Sequence, residues 1–123
     1  MMPLADLLGI EIESASADAV VGRLAFRPDL CTTADLLHGG AVMAFADSLG
    51  AVAAFLNLPP GAGTSTIESK TNFFRGVTSG SIRGESTPLH VGRTTIVVQT
   101  DIRNDAGKRV ALVTQTQAVL QPR

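Results

Sequence analysis

Tryptophan and tyrosine are absent from these 123 residues, phenylalanine occurs five times and cysteine once. The lone Cys31 has no partner for an intrachain disulfide, so the fold must be held by packing. Without Trp or Tyr there is no stacking platform for bases, and ten Lys plus Arg against eleven Asp plus Glu, a net charge of −1, build no basic field. No nucleic acid is expected as a partner. Two His and one Cys are too few for a convincing metal cluster, and no metal or redox cofactor is expected. Charge is scarce, at 17% of residues against 45% hydrophobic. This composition and length exclude a disordered tail and predict one domain, residues 1–123, closing one core. The mean hydropathy of +0.25 is high for so small a chain, so part of its apolar surface is expected in a subunit interface. Asp6, Glu11 and Glu13 interrupt the amino-terminal stretch and leave no secretory pattern, so a cytoplasmic location is expected.

The hydrophobic period changes twice along the chain. Residues 3–9 predict a short helix with Leu4, Leu7 and Leu8 on one side, and residues 20–27 alternate as a strand. A loop follows from Pro28 to Leu37. From Gly39 to about Asn57 nearly every residue is apolar, with Ala at 41, 44, 46, 51, 53 and 54, and Pro59-Pro60-Gly61 stops the run. Ala41 to Leu58 is long enough to be weighed as a membrane span, but Asp47 near its middle costs about 2.5 to 3.5 kcal/mol there. No membrane association is expected. Such a helix should instead be enclosed by protein on most sides. Residues 67–74, 81–87, 94–103 and 109–120 predict the enclosing strands, the last two joined by Asn104-Asp105-Ala106-Gly107 as a hairpin. Glu68, Lys70, Arg83, Glu85, Asp101 and Arg103 alternate, as on a sheet with one wet face. Five strands and one long helix predict an α+β domain, a curled antiparallel sheet around a buried helix.

Asp47 is the most informative residue, because a carboxylate in an apolar helix is costly unless hydrogen-bonded, paired or opened to a cavity. It is either a solvated residue beside Ser48 or a catalytic carboxylate on a cleft wall. His38-Gly39-Gly40 stands at the start of the same helix, where the first N–H groups lack intrahelical acceptors and can hold a developing oxyanion. A plain loop-to-helix turn would also use these glycines. Gly39 and Asp47 lie eight residues, about 12 Å, apart along one helix. They can act on one carbonyl only if two copies bring a helix end to another helix middle about a twofold axis.

His38-Gly39-Gly40, Asp47 nine positions after the His, and Thr66-Ile67-Glu68 leading into Asn72-Phe73-Phe74-Arg75 resemble the hotdog-fold acyl-CoA thioesterases of the phenylacetate-degradation type. The resemblance covers roughly residues 20 to 120. It implies a hotdog fold, a homodimer often paired into a homotetramer, and an acyl-CoA substrate whose CoA leaves as product. It further implies Asp47 as nucleophile or general base, the Gly39 N–H as polariser of the thioester carbonyl, and Thr66, or its neighbour Ser65, as the residue placing the attacking water. His38 would order the loop or touch the thioester, with Gly40 beside it. The chain departs from the pattern at Thr32, where an amide side chain commonly stands, and at Asp35, where a glycine is common; Asp35 would cap the helix or carry charge near the cleft mouth.

CoA phosphates call for basic groups, and Arg75 and Arg93 are the candidates, each also readable as a solvated surface residue. His90, just before Arg93, has no stronger claim. Phe45, Phe55, Phe73 and Phe74 are expected in the core or lining an acyl pocket. The stretch Gly61-Ala62-Gly63-Thr64 lacks the Lys of a phosphate loop, and no Gly-x-Ser-x-Gly elbow exists. Cys31 with His38 could in principle make a thiol nucleophile, although seven residues of loop fix no geometry. Two further readings share the fold: a thioester hydratase or dehydratase with His38 as base, and a non-catalytic acyl-CoA binding domain.

Overall fold

The computed structural model describes residues 2–122. Helix α1 (Pro3–Leu8) is followed by β1 (Glu11–Ala15), β2 (Val20–Ala25), a 3-10 turn, α2 (Gly39–Phe55), β3 (Gly63–Phe73), β4 (Ser81–Val91), β5 (Thr95–Asn104) and β6 (Arg109–Leu120). The six strands form one antiparallel sheet in the order β1-β2-β4-β5-β6-β3. Helix α2 touches every strand of it, which is the curled sheet around a long helix expected from the sequence. The short amino-terminal helix, the long helix and the hairpin at Asn104–Gly107 lie where the sequence places them.

Two corrections follow. The sheet has six strands rather than five, because Glu11–Ala15 pairs with β2 as an edge strand. That segment carries only one large apolar residue, Ile12, and so shows no alternation. Secondly, α2 is not enclosed on most sides. Val42, Phe45, Ala46, Leu49, Ala53 and Ala54 are buried, whereas Met43 and Phe55 are exposed and Ala44, Asp47 and Ala51 are half-buried. The sheet covers the side of α2 that carries Phe45 and Leu49, and leaves the side carrying Met43, Asp47 and Phe55 only partly covered.

What fixes the buried side is a close approach at two glycines. Gly22 on β2 and Gly84 on β4 are register partners, and a methyl group placed on Gly84 would stand 2.7 Å from Leu49 Cδ1 and 2.9 Å from Phe45 Cε2. Their missing side chains form the depression that seats Leu49 and Phe45, both fully buried. The outer face of the sheet is charged, as the alternation predicts, with Asp101 bridging Arg103 at 3.0 Å and Arg109 at 2.9 Å.

Seating α2 this way makes Gly84→Val an overpacking substitution, expected to cost about 1–3 kcal/mol. Urea denaturation should show a lower midpoint with an unchanged slope.

Candidate active site

Strand β3 places the side chains that meet Asp47, and a bulge decides which ones. Thr66 pairs with Gln117 and Glu68 with Thr116, so Ile67 is an extra residue and the inward set switches from even to odd numbers. Thr64, Thr66, Ser69, Thr71 and Phe73 therefore face α2, on the same side as Gln115, Gln117 and Val119 of β6. Ser65 and Glu68 face outward, and Glu68 accepts a hydrogen bond from Thr116 at 3.1 Å. Of the two hydroxyls offered by the sequence, Thr66 reaches Asp47 and Ser65 does not.

Asp47 Oδ1 accepts two hydrogen bonds, from Thr66 Oγ1 at 2.8 Å and from Gln115 Nε2 at 3.0 Å. Thr66 Oγ1 in turn accepts from Gln117 Nε2 at 2.7 Å, and Gln117 Oε1 accepts from Thr64 Oγ1 at 3.1 Å. The carboxylate enters no salt bridge, and its Oδ2 accepts from no group among the described residues. Asp47, Thr66, Ser69, Met43 and Ala44 line a cleft of about 260 Å³. One helical turn further, Ala51, Val52 and Phe55, with Met2 and Thr64, line an apolar cavity of about 560 Å³. Asp47, Ala51 and Phe55 are spaced four residues apart, so cleft and cavity share one face of α2.

At the other end of the helix, His38 is the N-cap, its Nδ1 accepting from the Gly40 N–H at 2.8 Å. With Nδ1 so engaged, a neutral imidazole carries its proton on Nε2 and has no free lone pair to act as base. Asp35 does not cap α2. It takes the left-handed conformation at φ 60°, which explains why glycine suits this position. The Gly39 N–H has no acceptor among the described residues, and the Phe73 ring packs on the side of Gly39 where a side chain would point, with Cζ 3.1 Å from where a Cβ would stand. His38, Gly40, Cys31, Leu4 and Leu8 line a second cleft, of about 330 Å³.

Thr32 is half-buried and its hydroxyl oxygen is turned into its own loop, accepting from the Ala34 N–H at 3.2 Å. The Cys31 thiol is a poor nucleophile, since burial raises its pKa and the charge of Asp35 raises it further. Arg75 and Arg93 are exposed at opposite ends of β6. The Arg75 N–H donates to Val110 O, and Arg93 O accepts from the Gln121 side chain. Eleven residues of strand, about 36 Å, separate those anchor points. Phe45 belongs to the core, Phe55 lines the apolar cavity, and Phe73 and Phe74 are half or more exposed. His90 is exposed on β4. Among the described residues no three His, Cys, Asp or Glu side chains gather as metal ligands, and no helix is long and apolar enough to cross a membrane.

The sequence reading missed Gln115 and Gln117, exposed by 0% and 1%. A signal was present: both fall in the inward register of β6, between Val113 and Val119, where apolar residues belong.

Residues 34–111 match the family model of the Thioesterase superfamily. The chain belongs to that family. Its fold is the hotdog fold, and membership makes it a thioester hydrolase. The thioesterase PA1618 of Pseudomonas aeruginosa is 30% identical in a solved structure with a TM-score of 0.91, matching 95% of this chain and 85% of that one. The esterase Rv1847/MT1895 of Mycobacterium tuberculosis is 28% identical at a TM-score of 0.96, matching 99% of both chains. The proofreading thioesterase EntH of Klebsiella pneumoniae is 36% identical over 85 residues, 69% of this chain and 62% of its own length.

Gly50 adds a local test of the site. A methyl group there would collide with the Gln115 amide, which lies across the helix at this glycine. Ala is about 1 kcal/mol better than Gly inside a helix, so Gly50→Ala should leave stability nearly unchanged while pushing Gln115 off Asp47. A crystal structure of the variant checks it, with the Gln115–Asp47 hydrogen bond expected to be broken.

Proposed function

We propose that the protein hydrolyses an acyl-CoA, with a small or aromatic acyl group, to the free acid and CoA. The observation that carries this reading is the Asp47 carboxylate, fixed through Oδ1 and left free at Oδ2 on the wall of a cleft. Oδ2, or a water that it deprotonates, adds to the thioester carbonyl carbon. Collapse of the tetrahedral adduct breaks the C–S bond. With water as nucleophile the free acid forms directly and the proton taken up by Oδ2 passes to the CoA thiolate. Attack by Oδ2 instead leaves an acyl–Asp47 anhydride that water hydrolyses, supplying the proton for the thiolate. One water is consumed on either route. The negative charge on the carbonyl oxygen is taken up by a Gly39 N–H. Because that N–H and Asp47 of one chain are about 12 Å apart, the second comes from another copy.

Several features support the shared site. Asp47 and His38 line different clefts of one chain, which adjoin at Ala44. Ile67 and Phe73 on β3, one of the two edge strands of the sheet, are exposed by 60% and 50%, as apolar residues awaiting cover would be. The apolar cavity beyond Asp47, of about 560 Å³, falls in the range of small-ligand sites and suits the acyl group. Arg75, at the same end of β3 as Phe73 and Gly39, is placed to meet CoA phosphates, whereas Arg93 stands at the far end. A cytoplasmic location and a homodimer or homotetramer complete the proposal.

Release of free thiol from a panel of acyl-CoAs tests it. Asp47→Asn should lower kcat by about 10²–10⁴-fold while CoA binding survives; turnover close to the wild type overturns the assignment. Cys31→Ser should hydrolyse the same substrates at the wild-type rate, and a loss of activity there would restore the thiol as a candidate nucleophile.

A further inference from the structure

Between Gln117 and Asp47 each hydroxyl and amide has its donor direction determined by its neighbours. Asp47, as a carboxylate, can only accept, so the Thr66 hydroxyl proton points at Oδ1. Thr66 Oγ1 must then receive rather than give at its other contact, and an amide nitrogen, Gln117 Nε2, supplies the proton. The same amide presents Oε1, at 3.1 Å, to the Thr64 hydroxyl, whose single proton also has the Ala118 carbonyl within reach at 3.0 Å. Gln117 is fully enclosed, so no water competes for its amide, whereas Thr66 is exposed at the cleft.

We infer that Gln117 is a positioning residue for Asp47: it aims the Thr66 proton at Oδ1, and with Gln115 it holds the carboxylate in one rotamer with Oδ2 toward the substrate. This rests on the catalytic role proposed for Asp47. It also reassigns Thr66, whose one proton is spent on the carboxylate and is not available to a water. Gln115 acts from the opposite side, its Nε2 on Asp47 and its Oε1 without a hydrogen-bond partner against Gly50. Among the described residues the two amides are the only donors to this pair of acceptors, Oδ1 and Thr66 Oγ1, apart from Thr66 itself. An apolar residue in place of either leaves a cavity filled but an aim lost, which separates this role from packing.

The experiment compares kcat and KM for Asp47→Asn, Gln117→Met, Thr66→Val, Thr66→Ser and the double variant Thr66→Val/Gln117→Met, each on the full chain with the best acyl-CoA of the panel. Gln117→Met and Thr66→Val are expected to lower kcat about 10- to 100-fold with KM unchanged. Thr66→Ser should restore most of the rate. The double variant should be no slower than Thr66→Val alone, as expected of residues acting through one contact. Wild-type kcat in Gln117→Met, or a change in KM alone, overturns the inference while an inactive Asp47→Asn keeps the hydrolase reading; an active Asp47→Asn overturns both. Should Gln117→Met fail to fold, ¹⁵N spectra of the wild type and Thr66→Val still decide: the Gln117 side-chain amide protons should exchange slowly in the first and faster in the second. Exchange as fast as that of a surface glutamine in the wild type overturns the inference.

Discussion

A carboxylate in an apolar helix must be given hydrogen-bond donors, and much of this molecule is arranged around that demand. Among the described residues Asp47 has no cation beside it. Its needs are met instead by a threonine and a glutamine on the two strands at one margin of the sheet. Neutral donors satisfy the charge without cancelling it, which an arginine or lysine in salt-bridge contact would do. The requirement propagates outward. Gln115 reaches the helix only because residue 50 is glycine, and the inward faces of β3 and β6 carry Thr64, Thr66, Ser69, Gln115 and Gln117 where a core would otherwise be aliphatic.

The polar margin is tolerable because the remainder of the sheet grips the helix hard. Leu49 and Phe45 descend into the depression at Gly22 and Gly84, on the side of α2 turned away from Asp47. One face of the helix is thus spent on stability and the opposite face is left for a ligand. The helix tip repeats the economy: His38 consumes the Gly40 N–H and leaves the Gly39 N–H free. In the proposed reaction these two unspent groups, a carboxylate oxygen and an amide hydrogen, belong to different copies, so association and catalysis are one property.

Much of this was legible in the residues themselves. The alanine-rich run and its Pro-Pro-Gly stop marked α2, and alternation of charge marked the outer face of β3, β4 and β5. Asp47 stood out because acids are rare in such helices. Other parts were silent for physical reasons. The strand at Glu11–Ala15 is an edge with one large apolar side chain, so its pairing is a tertiary event with no local pattern. Strand β3 begins at Gly63 rather than Ile67 because its first inward residues are threonines, chosen for Asp47 and Gln117 rather than for burial. Gln115 and Gln117 were passed over, although they alternate with the inward Val113 and Val119, because glutamine seldom occupies such positions. The resemblance supplied Thr66 but not the strand geometry that selects it over Ser65.

The bulge at Ile67 has a consequence for the size of molecule this scaffold admits. Strand β3 touches Asp47 through Thr66 at one point and covers the helix tip through Phe73 at another, so it works as a ruler laid between the two chemical groups. Pairing with β6, Thr66 opposite Gln117 and Phe73 opposite Ala111, sets the span of that ruler, and the extra residue at Ile67 adds only a local bend and twist. Deleting it would therefore reshape the opening beside the carboxylate while both anchored side chains keep their facing.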